Sequence, residues 1–574
     1  MPATETVAKT KEAVGPGPVT TPSEGRWPTW LIAAASGIII PALILLTIEL
    51  ILRLCGVGHP TNLVLPCTDH GRPAFCDNQY FTATFFPPGM LRTPRPYAIP
   101  AAKAPGTFRI FVLGESAAWG EPDPTFGFVR YLEVMLRASF PSIKFEIINT
   151  GTTAIDSHVM LPIARDLAQH QPDLFLLYAG SNEVVGPYGP GTVLTSESLS
   201  LPIIRAKIFF HFTRMGQLVA EASSLGGQNR SPWKGMEMFM DQQVPADSPQ
   251  LPLVYRNFSS NLRDIIAVAH KAGAQVLLST IATNVKDCAP FASLHRQGIR
   301  PEELQQWDAL LQKGEASEKA GSPAEALKAY LAAAQIDSQY AELQFRIARC
   351  LWATGDFDHA RERYLLAQEL DTLRFRADHG INEVIRSAAA NGGPGVELLD
   401  TNAIFAQNSE HGVPGSNLFY EHVHMNPAGN YLIARSLFSK IAAMLPKQPE
   451  TARSETTVLT EEQCERLLAL TAYDRARILA IELRKMQHPP FTNQLNHDDE
   501  VSRLEEESKG LKVEYDQTLA EYQRAIMQNP DDRLLHLNYG FFLHRYAPDV
   551  SEQQLRIALP YDNAPVLCNW RIFD

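Results

Sequence analysis

From residue 107 onward, short apolar runs alternate with longer segments whose apolar residues recur at helical spacing. Phe108–Leu113 is apolar except for Arg109 and reads as a buried strand. Phe145–Asn149, Asp173–Tyr178, Gln275–Thr280 and Val396–Asp400 read as four more strands. Phe128–Ser139, His158–Gln169 and a segment near 253–272 carry the helical period. Strands alternating with helices predict an α/β domain, a parallel sheet covered on both faces.

Two long segments interrupt this alternation. Residues 186–250 follow the third strand and contain an apolar, helix-like stretch, Ile203-Ile204 and Ile208–Phe212. Ordinary core packing accounts for it; a lid, or a surface resting on a membrane, is the alternative. The second interruption is a repeat. Ala320-Gly321, Ala326, Tyr330 and Asp337 recur as Thr354-Gly355, Ala360, Tyr364 and Asp371, each pair 34 residues apart. Small residues at this period suit closely packed helix pairs, and the segment 303–376 resembles the tetratricopeptide family. That resemblance implies either a protein partner or packing within the chain.

The flanks carry different patterns. Residues 1–26 are rich in Thr, Pro, Gly and Glu and read as a disordered tail. Trp30–Ile48 then runs without a charge, close to the ~20 residues that cross a hydrocarbon core. Trp27 and Trp30 sit where an interfacial anchor belongs, and Pro41 is tolerable in a membrane helix. Residues 27–54 are therefore expected to form an uncleaved single-pass anchor. Lys9, Lys11 and Arg26 before it, against Arg53 and Arg72 after it, lean slightly toward a cytoplasmic tail, with the bulk of the chain expected outside the cytoplasm. Residues 55–106 are expected to be an extended linker. Within it, Cys67 and Cys76 flank a short loop that a disulfide can close in an oxidising compartment; two unpaired thiols are the alternative. After 448 the pattern is helical again, with amphipathic segments at 460–485 and 501–527, a helical pair over 521–544 and no recognisable chemistry.

Charge and cysteine content narrow the function. A net charge of -12 without a Lys/Arg block argues against nucleic acid as a partner. Seven scattered cysteines, with no CxxC or His/Cys cluster, predict neither a disulfide scaffold nor a metal, and no cofactor is expected. The chemistry concentrates at strand ends. Gly114-Glu115-Ser116 closes the first strand, so Ser116 is either a nucleophile on a rigid element or the cap of the next helix. A nucleophile needs a histidine base and a carboxylate to orient it. Glu421-His422-Val423-His424 follows the fifth strand, and Glu421 stands three residues before His424. Gly151 after the second strand and Asn182 after the third can offer donors to a developing oxyanion. His158, His295, Asp287 and Cys288 are assigned no catalytic role.

Gly114-Glu115-Ser116, Gly151, Gly180-Ser181-Asn182-Glu183 and Glu421-x-x-His424 resemble, in order and in strand position, blocks I, II, III and V of the SGNH (GDSL-like) hydrolases. The resemblance spans about 107–285 and 395–440, and the hydrolase domain it implies runs over 107–302 and 377–447, with the repeats between. It implies a flavodoxin-like parallel-sheet fold, Ser116 as nucleophile, His424 as base and Glu421 as its acid partner. It further implies an oxyanion hole of Ser116, Gly151 and Asn182. The chain departs from the family by Glu for Asp at 115 and at 421. If Glu421 pointed away, the site would be a Ser-His dyad. The expected activity is that of a membrane-anchored esterase acting on an ester substrate, with an acylated glycan as one substrate class. An O-acyltransferase with the same residues and a non-catalytic repeat-bearing scaffold are the alternatives.

Overall fold

The computed structural model describes residues 8–10, 15, 29–87, 89–195, 200–225, 232–446 and 458–559. The chain divides into two units, Met1–Gly58 and His59–Asp574. Most of the expected disordered tail, and Trp27, lie outside the described residues. The first unit holds one 26-residue helix, Thr29–Leu54, with Pro41 inside it. It is long and apolar enough to cross a membrane, with exposed Ile and Leu side chains along Ile38–Leu54.

The second unit begins with structure where an extended linker is expected. Strands β1 (Val64–Asp69), β2 (Arg72–Asp77) and β3 (Ala98–Pro100) form a small antiparallel sheet, and Cys67 and Cys76 are disulfide-bonded across β1 and β2. Leu63, Phe81, Phe85, Phe86, Met90 and Ile99 are buried in the main core. The Pro and Phe of this segment thus serve packing rather than extension.

The central sheet contains β4 (Thr107–Gly114), β5 (Lys144–Asn149), β6 (Leu174–Tyr178), β7 (Gln275–Ser279) and β8 (Val396–Leu399). All are parallel, in the order β5-β4-β6-β7-β8. This is the doubly wound 2-1-3-4-5 order, whose direction reverses between β4 and β6. Right-handed crossovers then place Phe128–Ser139 and Pro427–Met444 on one face, where they pack together. Ser157–Leu167, Leu251–Lys271 and His379–Ala390 pack together on the other. Arg109, the one charge in the β4 run, is buried but satisfied: it donates to Glu146 and to the carbonyls of His170 and Pro100.

Between β7 and β8, four helices (Pro301–Lys319, Pro323–Ile336, Ala341–Ala353, Phe357–Leu370) stack as two hairpins with a core of their own. The repeated Ala326/Ala360 and Tyr330/Tyr364 are buried in it. The repeated acids point elsewhere. Asp337 accepts from His295 and the Arg296 N–H, and Asp371 accepts from the Phe291 and Ala292 N–H groups. Both repeats therefore clamp the loop that follows β7.

In the 186–250 interruption, helix Leu201–His211 sends Ile204 and Ile208 into the core and leaves other apolar residues exposed. The C-terminal helices break more often than their periodicity predicts. The 460–485 segment splits into Glu461–Leu468 and Ala472–Met486, because Ala469 is left-handed (φ 52°) and Thr471 caps a new start. The 501–527 segment splits into His497–Gly510 and Tyr515–Gln528. Asn529-Pro530 lies in the turn before Arg533–Leu543, as expected.

Candidate active site

Open α/β sheets bind ligands beyond the carboxyl ends of their strands where the strand order reverses. Ser116 follows β4 there and starts a one-turn helix, Ser116–Trp119. It is not the helix cap: Glu115 occupies that position, and its side chain makes no cap bond. Instead the Glu115 carboxylate crosses to the loop after β6 and accepts the N–H groups of Gly180, Ser181 and Asn182 at 3.1, 2.9 and 3.2 Å. The extra methylene of Glu over Asp supplies this reach. Burial, then the nearby Glu183 charge, pushes Glu115 up to about 8 against the pull of those donors.

The partner of Ser116 comes from a turn after β8. Phe419 and Met425 pair as an isolated bridge, the Tyr420 N–H donates to the His424 carbonyl, and the Asn284 N–H donates to the His422 carbonyl. Asp287, in the loop after β7, accepts from the N–H and hydroxyl of Ser416 at the foot of this turn. Asn426 caps helix Pro427–Met444. So fixed, His424 Nε2 lies 2.7 Å from Ser116 Oγ, and its Nδ1 meets Glu421 Oε1. Glu421 does not point away. Its other oxygen, Oε2, meets His422 Nδ1, so one buried carboxylate holds two imidazoles. The edges of Phe291, Phe375 and Phe491 enclose His422. Spacing in the sequence singled out His424 alone; the second partner arises because the turn brings adjacent residues onto one carboxylate.

Burial pushes the His424 imidazole down to about 4; Glu121 opposes this and Lys485 reinforces it. His422 is held well below its ordinary value, again by burial first. Glu121 Oε2 is 3.4 Å from His424 Nε2. Burial works to raise Glu121, but His424, Lys485 and Arg92 outweigh it. Lys485 Nζ stands 3.8 Å from Glu421 Oε1 and 3.9 Å from Glu121 Oε2. It comes from helix Ala472–Met486, in the C-terminal region where the sequence offers no chemistry. A cavity of about 280 Å³ opens over the site, lined by Ser116, Asn182, His424, Arg92, Trp233 and Phe491 among others.

Of the expected oxyanion donors, Ser116 and Asn182 line the cavity and Gly151 does not. The Gly151 N–H donates to Asn149 Oδ1 at 2.9 Å. Its glycine is needed for a different reason: a Cβ would lie 2.6 Å from the Trp119 backbone nitrogen. Ala154, three residues on, does line the cavity, is left-handed (φ 60°), and its N–H has no acceptor among the described residues. Asn182 Nδ2 donates to the Ile155 carbonyl at 3.1 Å, which leaves its second N–H. Glu421, His422 and His424 are also the one group among the described residues close enough to hold a metal ion. An ion there would displace both imidazole–carboxylate contacts. His158 and His295 are engaged elsewhere, with Asn261 and Asp337.

A tetratricopeptide repeat family profile matches residues 318–374. No curated protein matches the chain. Among solved structures, the acetyl xylan esterase AlAXEase is similar at 13% identity and a TM-score of 0.28, covering 58% of this chain and 100% of that one. The helical insertion between β7 and β8 thus contains a tetratricopeptide repeat, carried by a mixed α/β unit built on a parallel sheet.

Proposed function

We propose that this chain is a membrane-anchored serine esterase of the SGNH type. The observation that carries the reading is the 2.7 Å contact of His424 Nε2 with Ser116 Oγ, backed by Glu421 on the far side of the imidazole. A base within hydrogen-bond reach and itself oriented by a carboxylate is the requirement for an activated serine. With its pKa pushed down, His424 is neutral at pH 7 and can accept a proton.

In the reaction, Ser116 Oγ bonds to the ester carbonyl carbon as its proton passes to His424 Nε2. The carbonyl oxygen takes the negative charge, for which the N–H groups of Ser116 and Ala154 and the Asn182 amide are the available donors. The C–O bond to the alcohol breaks, and His424 returns the proton to the departing oxygen. Water then attacks the acyl-Ser116, giving its proton to His424. The acid leaves and Ser116 regains its proton. Ser116, His424 and Glu421 are the catalytic residues of this scheme. The Cys67–Cys76 disulfide and the basic residues before the apolar helix favour an oxidising, extracytoplasmic location for the second unit.

The test is p-nitrophenyl acetate hydrolysis by the full chain in detergent, beside Ser116→Ala and His424→Ala, with a serine-reactive phosphonate mapped by mass spectrometry. Loss of activity in both variants and labelling at Ser116 are expected. Equal rates in all three and no labelling of the folded chain would move the scaffold reading ahead. Labelling at Ser116 with turnover only when a sugar alcohol is added would make the enzyme an O-acyltransferase.

A further inference from the structure

Helix Leu201–His211 presents an inverted pattern. Its exposed residues are Pro202, Ile203, Ala206, Phe209 and Phe210, all apolar. They recur at spacings of three and four and so form one stripe along the helix. Ile203 is 52%, Phe209 74% and Phe210 41% exposed. The next helix, Arg214–Leu225, adds Leu218 and Val219 at 37% and 54%. Core packing by Ile204 and Ile208 explains the opposite face of the first helix but not this one.

The hairpin's place in the chain says what covers it. Gln217 grips His59 at two points: the His59 N–H donates to Gln217 Oε1 at 2.9 Å, and Gln217 Nε2 donates to the His59 carbonyl at 3.1 Å. His211 bonds the Thr84 carbonyl as well. His59 follows Leu54, the last residue of the apolar helix, by five positions, ~17 Å of chain at full extension. The apolar stripe is thus tied to the point where the chain leaves that helix. Arg205, Lys207 and Arg214 flank the stripe, with Glu221 the one acid within 201–225; Arg205 pairs with Asp264 of helix Leu251–Lys271 at 2.6 Å.

We infer that the 201–225 hairpin lies on the lipid surface, with Ile203, Phe209, Phe210 and Val219 entering the boundary between head groups and acyl chains. The inference rests on the reading of Thr29–Leu54 as a membrane span. An interfacial helix combines an apolar face with basic flanks, the first entering the hydrocarbon boundary and the second attracting anionic head groups. On this inference the second unit meets the bilayer through residues of its own, apart from the span.

The test places an environment-sensitive NBD label in the full chain, in a Cys55→Ser, Cys568→Ser background, reconstituted in nanodiscs of zwitterionic and anionic phospholipid with or without doxyl-labelled lipid. Label sites are Phe209→Cys and Val219→Cys, with Leu46→Cys in the apolar helix and Leu365→Cys in the repeats as references. Loss of NBD emission by doxyl lipid at 46, 209 and 219, and none at 365, is the expected result. Quenching at 46 but not at 209 or 219 overturns the inference. In that case a blue-shifted emission identifies a protein cover such as a second copy, and a water-like emission identifies an uncovered face. No quenching at 46 removes the membrane reading itself, and the inference with it.

Discussion

Glu421 and His422 show how a residue's neighbours change its meaning. With Oε1 on His424 and Oε2 on His422, the carboxylate cannot rotate without losing a partner. In the proposed scheme His422 is a positioning residue, holding the acid that orients the base. His422→Phe removes its ring donor and is expected to lower kcat about tenfold, from a lost bond worth about 1.4 kcal/mol, with KM nearly unchanged. His422→Gln keeps an N–H donor and should recover most of the rate. The Phe variant also leaves more negative charge facing His424, which raises the imidazole pKa, so the acid limb of kcat/KM should move to higher pH. A purely structural role would lower stability without moving that limb. In the unmodified chain, His424 is a base only when neutral. Activity should therefore persist below the ordinary imidazole value of 6.5 and fall as pH drops through about 4. Glu421→Gln should cost roughly 10³–10⁴ in kcat, since the amide no longer matches both imidazole N–H groups.

At the scale of elements, the site depends on how strand ends are tied together. Glu115 holds the β6 loop by three N–H donors, and that loop presents Asn182. Glu115→Gln can still accept from Gly180 and Asn182, but its amide NH₂ faces the Ser181 N–H. A buried donor left unpaired costs about 1–3 kcal/mol, so Tm should fall and kcat with it. Because folding raises the Glu115 pKa to about 8, the folded chain binds this proton more tightly than the unfolded one. Its contribution to stability is full below about 4.5 and declines as pH rises toward 8. Urea unfolding across that range should show a downward slope that Glu115→Gln reduces. Ala154 gives a contrasting case. A left-handed alanine costs about 1–2 kcal/mol, so Ala154→Gly should raise Tm and keep activity, whereas Gly151→Ala should collide with the Ser116–Trp119 turn and lower both.

On the scale of the whole molecule, the site is assembled from segments far apart in the chain. The repeats clamp the loop after β7 through Asp337 and Asp371, and Asp287 on that loop holds the turn carrying Glu421 and His424. Lys485 enters from the C-terminal helices. Its positive charge helps to keep the His424 pKa low, so Lys485→Met should move the acid limb of kcat/KM to higher pH. This prediction tests whether the C-terminal region belongs to the catalytic unit. Much of the architecture was legible in the residues alone. The five central strands lie within a residue or so of their apolar runs, because buried parallel strands need continuous apolar residues. The 34-residue repeat was equally plain, since each helix pair must bury the same small and aromatic positions. That Ser116, Asn182, Glu421 and His424 would gather at the strand ends was also legible, from residue type there. Only the tertiary structure decided the rest. Residues 64–100 fold as a sheet into the core, Gly151 spends its N–H on Asn149 while Ala154 faces the cavity, and His422 and Lys485 join the site. Period and residue type follow from local geometry, which the chain carries in its order. Which donor is already taken, and which distant charge stands beside a base, depends on distances that only the packed fold creates.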